Sequence, residues 1–208
     1  PVSPIPEFAA LFEFGGFPEP LFRQNTRFLR RWHNEKIERM FRDDIMSIEQ
    51  VRDLGRMKLL SDLLPERVGS LFSLNSVRED LEVGFKAVSN WVTVLESFYY
   101  HFRIRPFVSR WIRSIKKEPK IYLYDWSEVA EPGARFENLV AGHLLKLCHF
   151  LYDRDGYKAD LSFLRDVDKK EVDFLVTVDR KPWFAVETKF AVESVSPDLR
   201  YFREKLKI

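Results

Sequence analysis

Two carboxylates and a lysine stand inside apolar stretches of the sequence. Asp173 lies in the run EVDFLVTV, and Glu187 and Lys189 lie in the run PWFAVETKF. Charged side chains are seldom buried without a partner, so an acid inside each run requires an explanation. Carboxylate oxygens are ligands that Mg²⁺ and Mn²⁺ favour, and a nearby lysine can offset the acids or orient a metal-bound water. The residue types therefore suggest a divalent metal site formed by Asp173 and Glu187.

The turn between the two runs decides whether these acids meet. A three-residue turn at 179–181 would pair Val178 with Pro182 and place Asp173 directly opposite Glu187. Facing carboxylates repel each other unless a cation compensates them, which favours a metal ion. A turn of two or four residues would shift the register by one and separate the acids. The alternative is that both acids are edge-strand charges that deter aggregation.

Composition sets wide limits on the function. The 208 residues carry a formal net charge of +2, so any affinity for nucleic acid must be local. Cys148 is the single cysteine, which excludes an internal disulfide and agrees with a cytoplasmic protein. We find no apolar run of about 18 residues and expect no membrane partner. The sequence starts without methionine, and we expect it to be a fragment of a longer protein.

The pattern of apolar residues predicts an α+β protein of three parts. Residues 1–45 form a helical segment, broken by the glycines and prolines of 15–20, which we expect to be the tail of an upstream ATPase module. Residues 46–126 form a winged helix-turn-helix. Residues 127–208 form an α/β domain.

Local signals place the elements within the second and third parts. A helix is predicted over 47–64, with Ser47 and Gln50 spaced for a capping box. A short helix ending near Leu81, a turn at Gly84 and a helix over Phe85–Ser97 give the helix-turn-helix. Two strands after it form the wing. The third part has a helix at 134–151, strands at 159–166, 171–178 and 182–190, and a last helix capped by Ser196.

A concentrated basic stretch follows the helix-turn-helix. Such a patch can contact DNA phosphates, with affinity that falls as salt rises. The alternative is that this region connects domains or binds a protein. The predicted nucleic-acid contacts are Lys86, Ser89 and Asn90 on the second helix and Arg103, Arg105, Arg110, Arg113, Lys116, Lys117 and Lys120 in the basic stretch.

The chain resembles two groups of proteins. Glu137 in GARFENLVAGHLL, Asp173 in EVDF, and Glu187 with Lys189 in VETK resemble the PD-(D/E)xK (restriction-endonuclease-like) nuclease superfamily. The stretches FGGFPEP, SLNSVREDLEVGFKAVSNWVTVLE and YLYDWSEV, together with those just quoted, resemble the C-terminal region of prokaryotic AAA-type ATPases, a region of unknown function. The resemblance implies an ATPase module, then a winged helix, then a nuclease-like domain.

The resemblance also implies roles for the residues. Asp173 and Glu187 would hold Mg²⁺ or Mn²⁺, Glu137 would orient the ion or its water, and Lys189 would stabilise negative charge. The implied reaction is metal-dependent hydrolysis of DNA phosphodiesters. The chain has no G-x-x-x-x-G-K-[ST] motif, so ATP would bind only to an upstream module. The alternative is a non-catalytic module that binds DNA or a protein with the same fold.

Overall fold

The computed structural model describes residues 5–47, 53–108, 118–191 and 194–208. Within these ranges the chain is a mixed α+β protein with eight α-helices and a five-stranded sheet. The helices are α1 (Pro6–Phe14), α2 (Pro18–Arg23), α3 (Thr26–Arg39), α4 (Leu54–Leu63), α5 (Leu74–Asp80), α6 (Phe85–Ser97), α7 (Pro132–Asp155) and α8 (Pro197–Leu206). The strands are β1 (His101–Pro106), β2 (Lys120–Leu123), β3 (Ala159–Arg165), β4 (Glu171–Val178) and β5 (Lys181–Val186).

The chain folds into two compact units. The first contains Pro1–Val68, Ser73–Phe102 and Leu123–Ala130, so it takes in residues from both the predicted helical segment and the predicted helix-turn-helix. The second contains Gly69–Phe72, Arg103–Tyr122 and Glu131–Ile208.

The first unit is built from helices whose ends follow local signals in the sequence. Gly15, with φ of 80°, ends α1, and Pro18 begins α2, which confirms the predicted break. After α3 the chain continues as one π-helical turn, Met40–Asp44. The helix pair α5 and α6 follows the prediction, with α6 beginning directly after Gly84 and burying Val88, Trp91 and Leu95.

The two strands predicted as a wing lie instead in the five-stranded sheet, whose order is β2-β1-β3-β4-β5. β1 runs parallel to β3, with Arg105 opposite Ser162. The physical reason is burial, because every residue of β2 is buried. A strand that is buried on both faces needs cover on both sides, which a two-stranded wing does not provide.

The second unit packs helices against the sheet. β3, β4 and β5 form an antiparallel meander. Phe202 of α8 is fully buried in a cluster with Leu164 of β3 and Val172 and Leu175 of β4. α8 starts as predicted, because the Ser196 side chain accepts a hydrogen bond from the Leu199 N–H. α7 is longer than the predicted 134–151 at both ends.

The turn between β4 and β5 differs from the predicted one, yet the predicted register is present. Val178 pairs with Lys181 across a two-residue turn, and both turn residues have positive φ, 49° and 64°, as a type I′ turn requires. Trp183 is then an extra residue on β5, and this bulge restores the register in which Phe174 pairs with Val186. The prediction of a three-residue turn was therefore wrong. The predicted register is confirmed as far as Val186, where β5 ends.

A second irregularity lies at Asp173. β3 and β4 pair regularly up to Ser162 opposite Leu175 and resume with Leu164 opposite Val172. Asp173 and Phe174 therefore face the single residue Phe163. Bulges of this kind bend a strand and re-aim a side chain, and they are frequent beside active sites.

Some predictions concern residues outside the described ranges. The basic residues Arg110, Arg113, Lys116 and Lys117 belong to this group, as does Gln50 of the predicted capping box. Among the helices of the described residues, none is both long and apolar enough to cross a membrane.

Candidate functional site

A buried lysine lies among three carboxylates in the second unit. Lys120, the first residue of β2, is 3% exposed. Its Nζ is 2.7 Å from Glu171 Oε1, 3.5 Å from Glu137 Oε1 and 4.0 Å from Asp173 Oδ1. We call these four residues, with Tyr122, the Lys120 cluster.

Regular structure brings these side chains together. Lys120 and Tyr122 are two residues apart on β2 and share a face, and Glu171 and Asp173 are spaced in the same way on β4. Glu137 comes from the N-terminal part of α7. The Tyr122 hydroxyl donates a hydrogen bond of 2.6 Å to Glu137 Oε1. Ammonium and phenol therefore both contact the same carboxylate oxygen.

Gly69 closes the cluster on another side. Its φ is +75°, a conformation that favours glycine. A Cβ at this position would lie 3.1 Å from both carboxylate oxygens of Glu137. The backbone of the loop therefore approaches the carboxylate more closely than a side chain would allow.

The cluster shifts the pKa values of its two glutamates in opposite directions. Burial raises the pKa of Glu137, an effect only partly opposed by Lys120 and by the Tyr122 hydrogen bond. Burial acts in the same direction on Glu171, but Lys120 and Arg165 outweigh it and lower the pKa of that carboxyl. The pKa of Lys120 is raised, because the surrounding carboxylates overcome the cost of burying the ammonium. The lysine therefore stays charged at neutral pH.

Asp173 is also held by the segment that follows β5. Its Oδ2 accepts hydrogen bonds from the Thr188 N–H at 2.8 Å and from the Thr188 hydroxyl at 2.7 Å. One carboxylate oxygen is thus occupied by Thr188, and the other faces Lys120.

Glu187 has its own partners. Its Oε2 accepts a hydrogen bond from the Ser196 hydroxyl, and its Oε1 lies 3.0 Å from Lys189 Nζ. Ser196 also caps α8, so Glu187 is tied to the start of that helix. Lys189 has a side chain that is 44% exposed.

The arrangement of these acids does not form a ready metal site. Within the described part of the chain, the one group of three potential ligands whose atoms all lie within 4.8 Å of one another is His33, Asp125 and Glu128, in the first unit. Glu137, Asp173 and Glu187 form no such group, and their oxygens are engaged by Lys120, Thr188, Ser196 and Lys189. In this geometry Glu137 and Asp173 face the buried ammonium of Lys120, and Glu187 faces the half-exposed ammonium of Lys189.

The predicted nucleic-acid contacts fall into different environments. Lys86, Ser89 and Asn90 line one open groove along α6. Arg105 is exposed and Arg103 is partly exposed on β1. Lys120 was expected among solvent-facing basic residues, but it is buried and bound to carboxylates, which makes it a poor contact for a DNA phosphate.

Sequence reasoning did not identify the role of Lys120, Tyr122 or Glu171. The alternation in KIYL, with Lys120 and Tyr122 on one face, was a usable signal. Glu171 shares its face with Asp173, which was visible in the spacing of EVD. What the spacing did not reveal is that a lysine from a distant strand reaches these acids.

The fold and the site together define a mixed α+β protein with a buried ionic cluster in its sheet unit. Residues 5–130 match a family described as Domain of unknown function (DUF8612), and residues 132–208 match one described as Domain of unknown function (DUF4143). The first match covers more than half of the chain, so this chain belongs to the DUF8612 family. DUF4143 domains are commonly found with AAA-type ATPases. Comparison with curated proteins and with solved structures found no match.

Proposed function

We propose that this chain is an accessory, DNA-binding region of an AAA-type ATPase and that its nuclease-like core is non-catalytic. The observation that carries the proposal is the Lys120 ammonium, 2.7 Å from Glu171 and 3.5 Å from Glu137. A resident cation at this place supplies the positive charge that the acids require. The module then needs no metal ion for stability.

The order of elements supports the nuclease-like part of the proposal. The helix α7 is followed by the antiparallel strands β3, β4 and β5 and then by α8. This is the order that the resemblance to the PD-(D/E)xK superfamily implies. ATP, in this proposal, is bound by a module outside these residues, to which the DUF4143 match lends support.

The helix pair α5 and α6 is the proposed DNA contact. α6 presents the exposed residues Lys86 and Asn90 along an open groove. Contacts to phosphates are electrostatic, so affinity should fall steeply as salt rises. A protein partner on the same surface is the competing reading.

Metal-dependent hydrolysis of DNA is the second candidate. It is favoured by the pairing of Phe174 with Val186, the residues next to Asp173 and Glu187 along the chain. Lys189, 3.0 Å from Glu187, stands where the nuclease motif has its lysine. We assign no step of a reaction to this arrangement, because the acids are not collected around a common point.

Cleavage of plasmid DNA separates the two candidates. The wild type and the variants Asp173→Ala and Lys189→Ala are incubated with supercoiled plasmid in Mg²⁺ or Mn²⁺. The non-catalytic module predicts that the plasmid stays intact with all three proteins. Nicking by the wild type that is lost in both variants would establish the hydrolase instead.

DNA binding is measured on the same proteins by fluorescence anisotropy at several salt concentrations. Lys86→Ala should weaken binding and reduce the salt slope by about one. Lys58→Ala is the matched control, because Lys58 is a half-exposed lysine on α4. Equal effects of the two substitutions, or no binding by the wild type, would refute the DNA contact.

The role of Lys120 has a test of its own. Thermal unfolding of Lys120→Met is compared with and without Mg²⁺. If the lysine occupies the place of a cation, Mg²⁺ should stabilise the variant and leave the wild type unchanged. Stabilisation of the wild type by Mg²⁺ would favour the metal-binding candidate.

A further inference from the structure

A cavity in the first unit has the size and lining of a ligand site. Its volume is about 390 Å³, within the usual range of roughly 300–1,000 Å³ for small-molecule pockets. α3, the π-helical turn after it and the segment following α6 contribute to the wall. The aromatic residues that line it are Phe17, Trp32, Phe98, Tyr99, Tyr100 and Tyr124.

The charged residues of the lining are mostly acidic. Arg39 and Lys36 are the bases among the described residues of the wall. The acids are Glu19, Glu35, Asp44 and Asp125. The lining therefore has a formal excess of two negative charges.

Lys36 does not repel a second cation, because its charge is cancelled inside the protein. Its Nζ lies 2.9 Å from Asp125 Oδ2 and also bonds to Glu128. Tyr100 donates a further hydrogen bond of 3.0 Å to Glu128. One ammonium thus faces two carboxylates, Asp125 in the cavity lining and Glu128 behind it.

The acids at the rim have partners that a ligand can replace. Glu19 pairs with Arg23 at 3.4 Å, and Glu35 pairs with Arg31 at 3.6 Å. In both pairs each side chain is more than half exposed. Such pairs contribute little to stability and exchange readily.

Tyr99 is held at the cavity against its backbone preference. It follows the end of α6 with φ of 56°, a left-handed position where glycine is preferred. The Tyr100 N–H closes the helix end on the Leu95 carbonyl at 3.0 Å. Tyr99 as a residue nevertheless is 70% exposed, and its ring packs edge-on against the Tyr124 ring, with 5.6 Å between ring centres. Burial does not explain this residue, whereas a role for its ring at the cavity does.

The π-helical turn is a second irregular feature of the same wall. Met40 and Asp44, its first and last residues, both line the cavity. π-Helical turns are rare and often occur at functional sites. Two unfavourable backbone features thus meet at one cavity.

We propose that this cavity binds an organic cation of the alkylammonium or guanidinium class. Aromatic faces attract such cations, and the acidic rim adds the complementary charge. The rings already attract an ammonium, because Lys36 Nζ lies 4.9 Å from the centre of the Trp32 ring and 5.4 Å from that of Phe17. This site is independent of the DNA-binding function proposed above.

The test uses choline and agmatine as the two cations. 3,3-Dimethyl-1-butanol, which has the shape of choline without its charge, is the neutral control. Binding is followed by nuclear magnetic resonance of the ¹⁵N-labelled chain. The indole N–H of Trp32 should shift with either or both cations. The indole of Trp126, which donates to the Leu11 carbonyl at 2.9 Å and does not line the cavity, should not shift.

Three variants sharpen the test. Glu35→Gln should weaken binding about three- to ten-fold, because it removes a charge from the rim. Glu38→Gln, an exposed acid on the same helix outside the lining, should leave the affinity unchanged. Tyr99→Gly should weaken binding by a similar factor while the chain remains folded.

The source of the cation is decided by a third ligand, an arginine-containing peptide with blocked ends. A peptide that binds more tightly than agmatine indicates the side chain of a partner protein, and the reverse order indicates a free small molecule. No shift of Trp32 with either cation or with the peptide would overturn the proposal. Equal binding of choline and its neutral analogue would overturn it as well.

Discussion

Each unit of the molecule contains a lysine held among carboxylates, and the two lysines differ in what surrounds them. Lys36 contacts Asp125 and Glu128, and Lys120 contacts Glu137, Glu171 and Asp173. In both clusters a tyrosine donates a hydrogen bond to one of the acids. In both, burial opposes the charge on the lysine, but the acids outweigh it and raise its pKa.

The difference lies in access. The Lys36 side chain is 23% exposed and borders an aromatic cavity, whereas Lys120 is 3% exposed and is closed in by the sheet and by Gly69. A buried ammonium at a cavity shapes the charge of a binding site. A buried ammonium without access to solvent acts on the fold alone, as an internal counterion. Similar chemistry thus borders the proposed cation site in one unit and is enclosed by the fold in the other.

The largest expected effect is that of Lys120→Met. Removing the ammonium leaves Glu137 and Asp173 without a cation and Glu171 with Arg165 alone, so the free energy of unfolding should fall by about 3–5 kcal/mol at pH 7. A lysine whose folded-state pKa is raised contributes its full stabilisation below its unfolded pKa, so neutral pH is the right condition. Urea unfolding measures the loss.

Lys189→Met is the matched control, since Lys189 bonds to Glu187 with a side chain that is 44% exposed. Its cost should stay below about 1 kcal/mol. Equal losses in the two variants would remove the distinction between a buried counterion and a surface ion pair.

Lys36→Met should cost less, about 2–4 kcal/mol, because water reaches this cluster. The methionine keeps part of the contact with Trp32 and Phe17. The same urea experiment checks this value. A loss larger than that of Lys120→Met would reverse the ranking of the two clusters by access.

The two glutamates of the Lys120 cluster should respond to pH with opposite signs. The pKa of Glu171 is lowered, so its stabilisation is present above its unfolded pKa and is lost as pH falls through the folded value. Glu171→Gln should therefore destabilise the chain by about 1.5–3 kcal/mol at pH 7.

Glu137 has a raised pKa, so its relative stabilisation is present at acidic pH and is lost as pH rises through the folded value. Glu137→Gln should then change stability by less than about 1 kcal/mol at pH 7, because the amide still accepts the Tyr122 hydrogen bond. Unfolding curves between pH 4 and 8 should show the two variants converging at low pH. Parallel curves would contradict the assigned directions.

The sequence predicted local structure better than it predicted long-range pairing. The helix pair ending at Ser97, the strand at 171–178 and the cap at Ser196 follow from local signals, and the structure confirms them. These signals act within a few residues of the chain, where glycine, serine and proline have fixed preferences.

Strand partners and bulges depend on distant residues, which explains the errors. The strands around Ile104 and Ile121 were assigned to a wing, although their burial requires a larger sheet. A three-residue turn was predicted at Asp179, whereas the structure has a two-residue turn compensated by a bulge at Trp183. Such a bulge leaves no local signal in the sequence. The Lys120 cluster was missed for the same reason, since its members are far apart along the chain. The proposed metal ligands and DNA contacts stay predictions.

The smallest effect is expected from Tyr99→Gly, and it is the sharpest test of the difference between the two units. Glycine relieves the left-handed backbone, which costs a non-glycine residue about 1–2 kcal/mol. The lost ring contact with Tyr124 offsets about 0.5–1.5 kcal/mol of that gain. The variant should therefore lie between about 0.5 kcal/mol less stable and about 1.5 kcal/mol more stable than the wild type in urea, whereas its affinity for cations should fall. A residue that supports the fold would show the opposite, so a clear loss of stability would place Tyr99, like Lys120, among the residues that serve architecture.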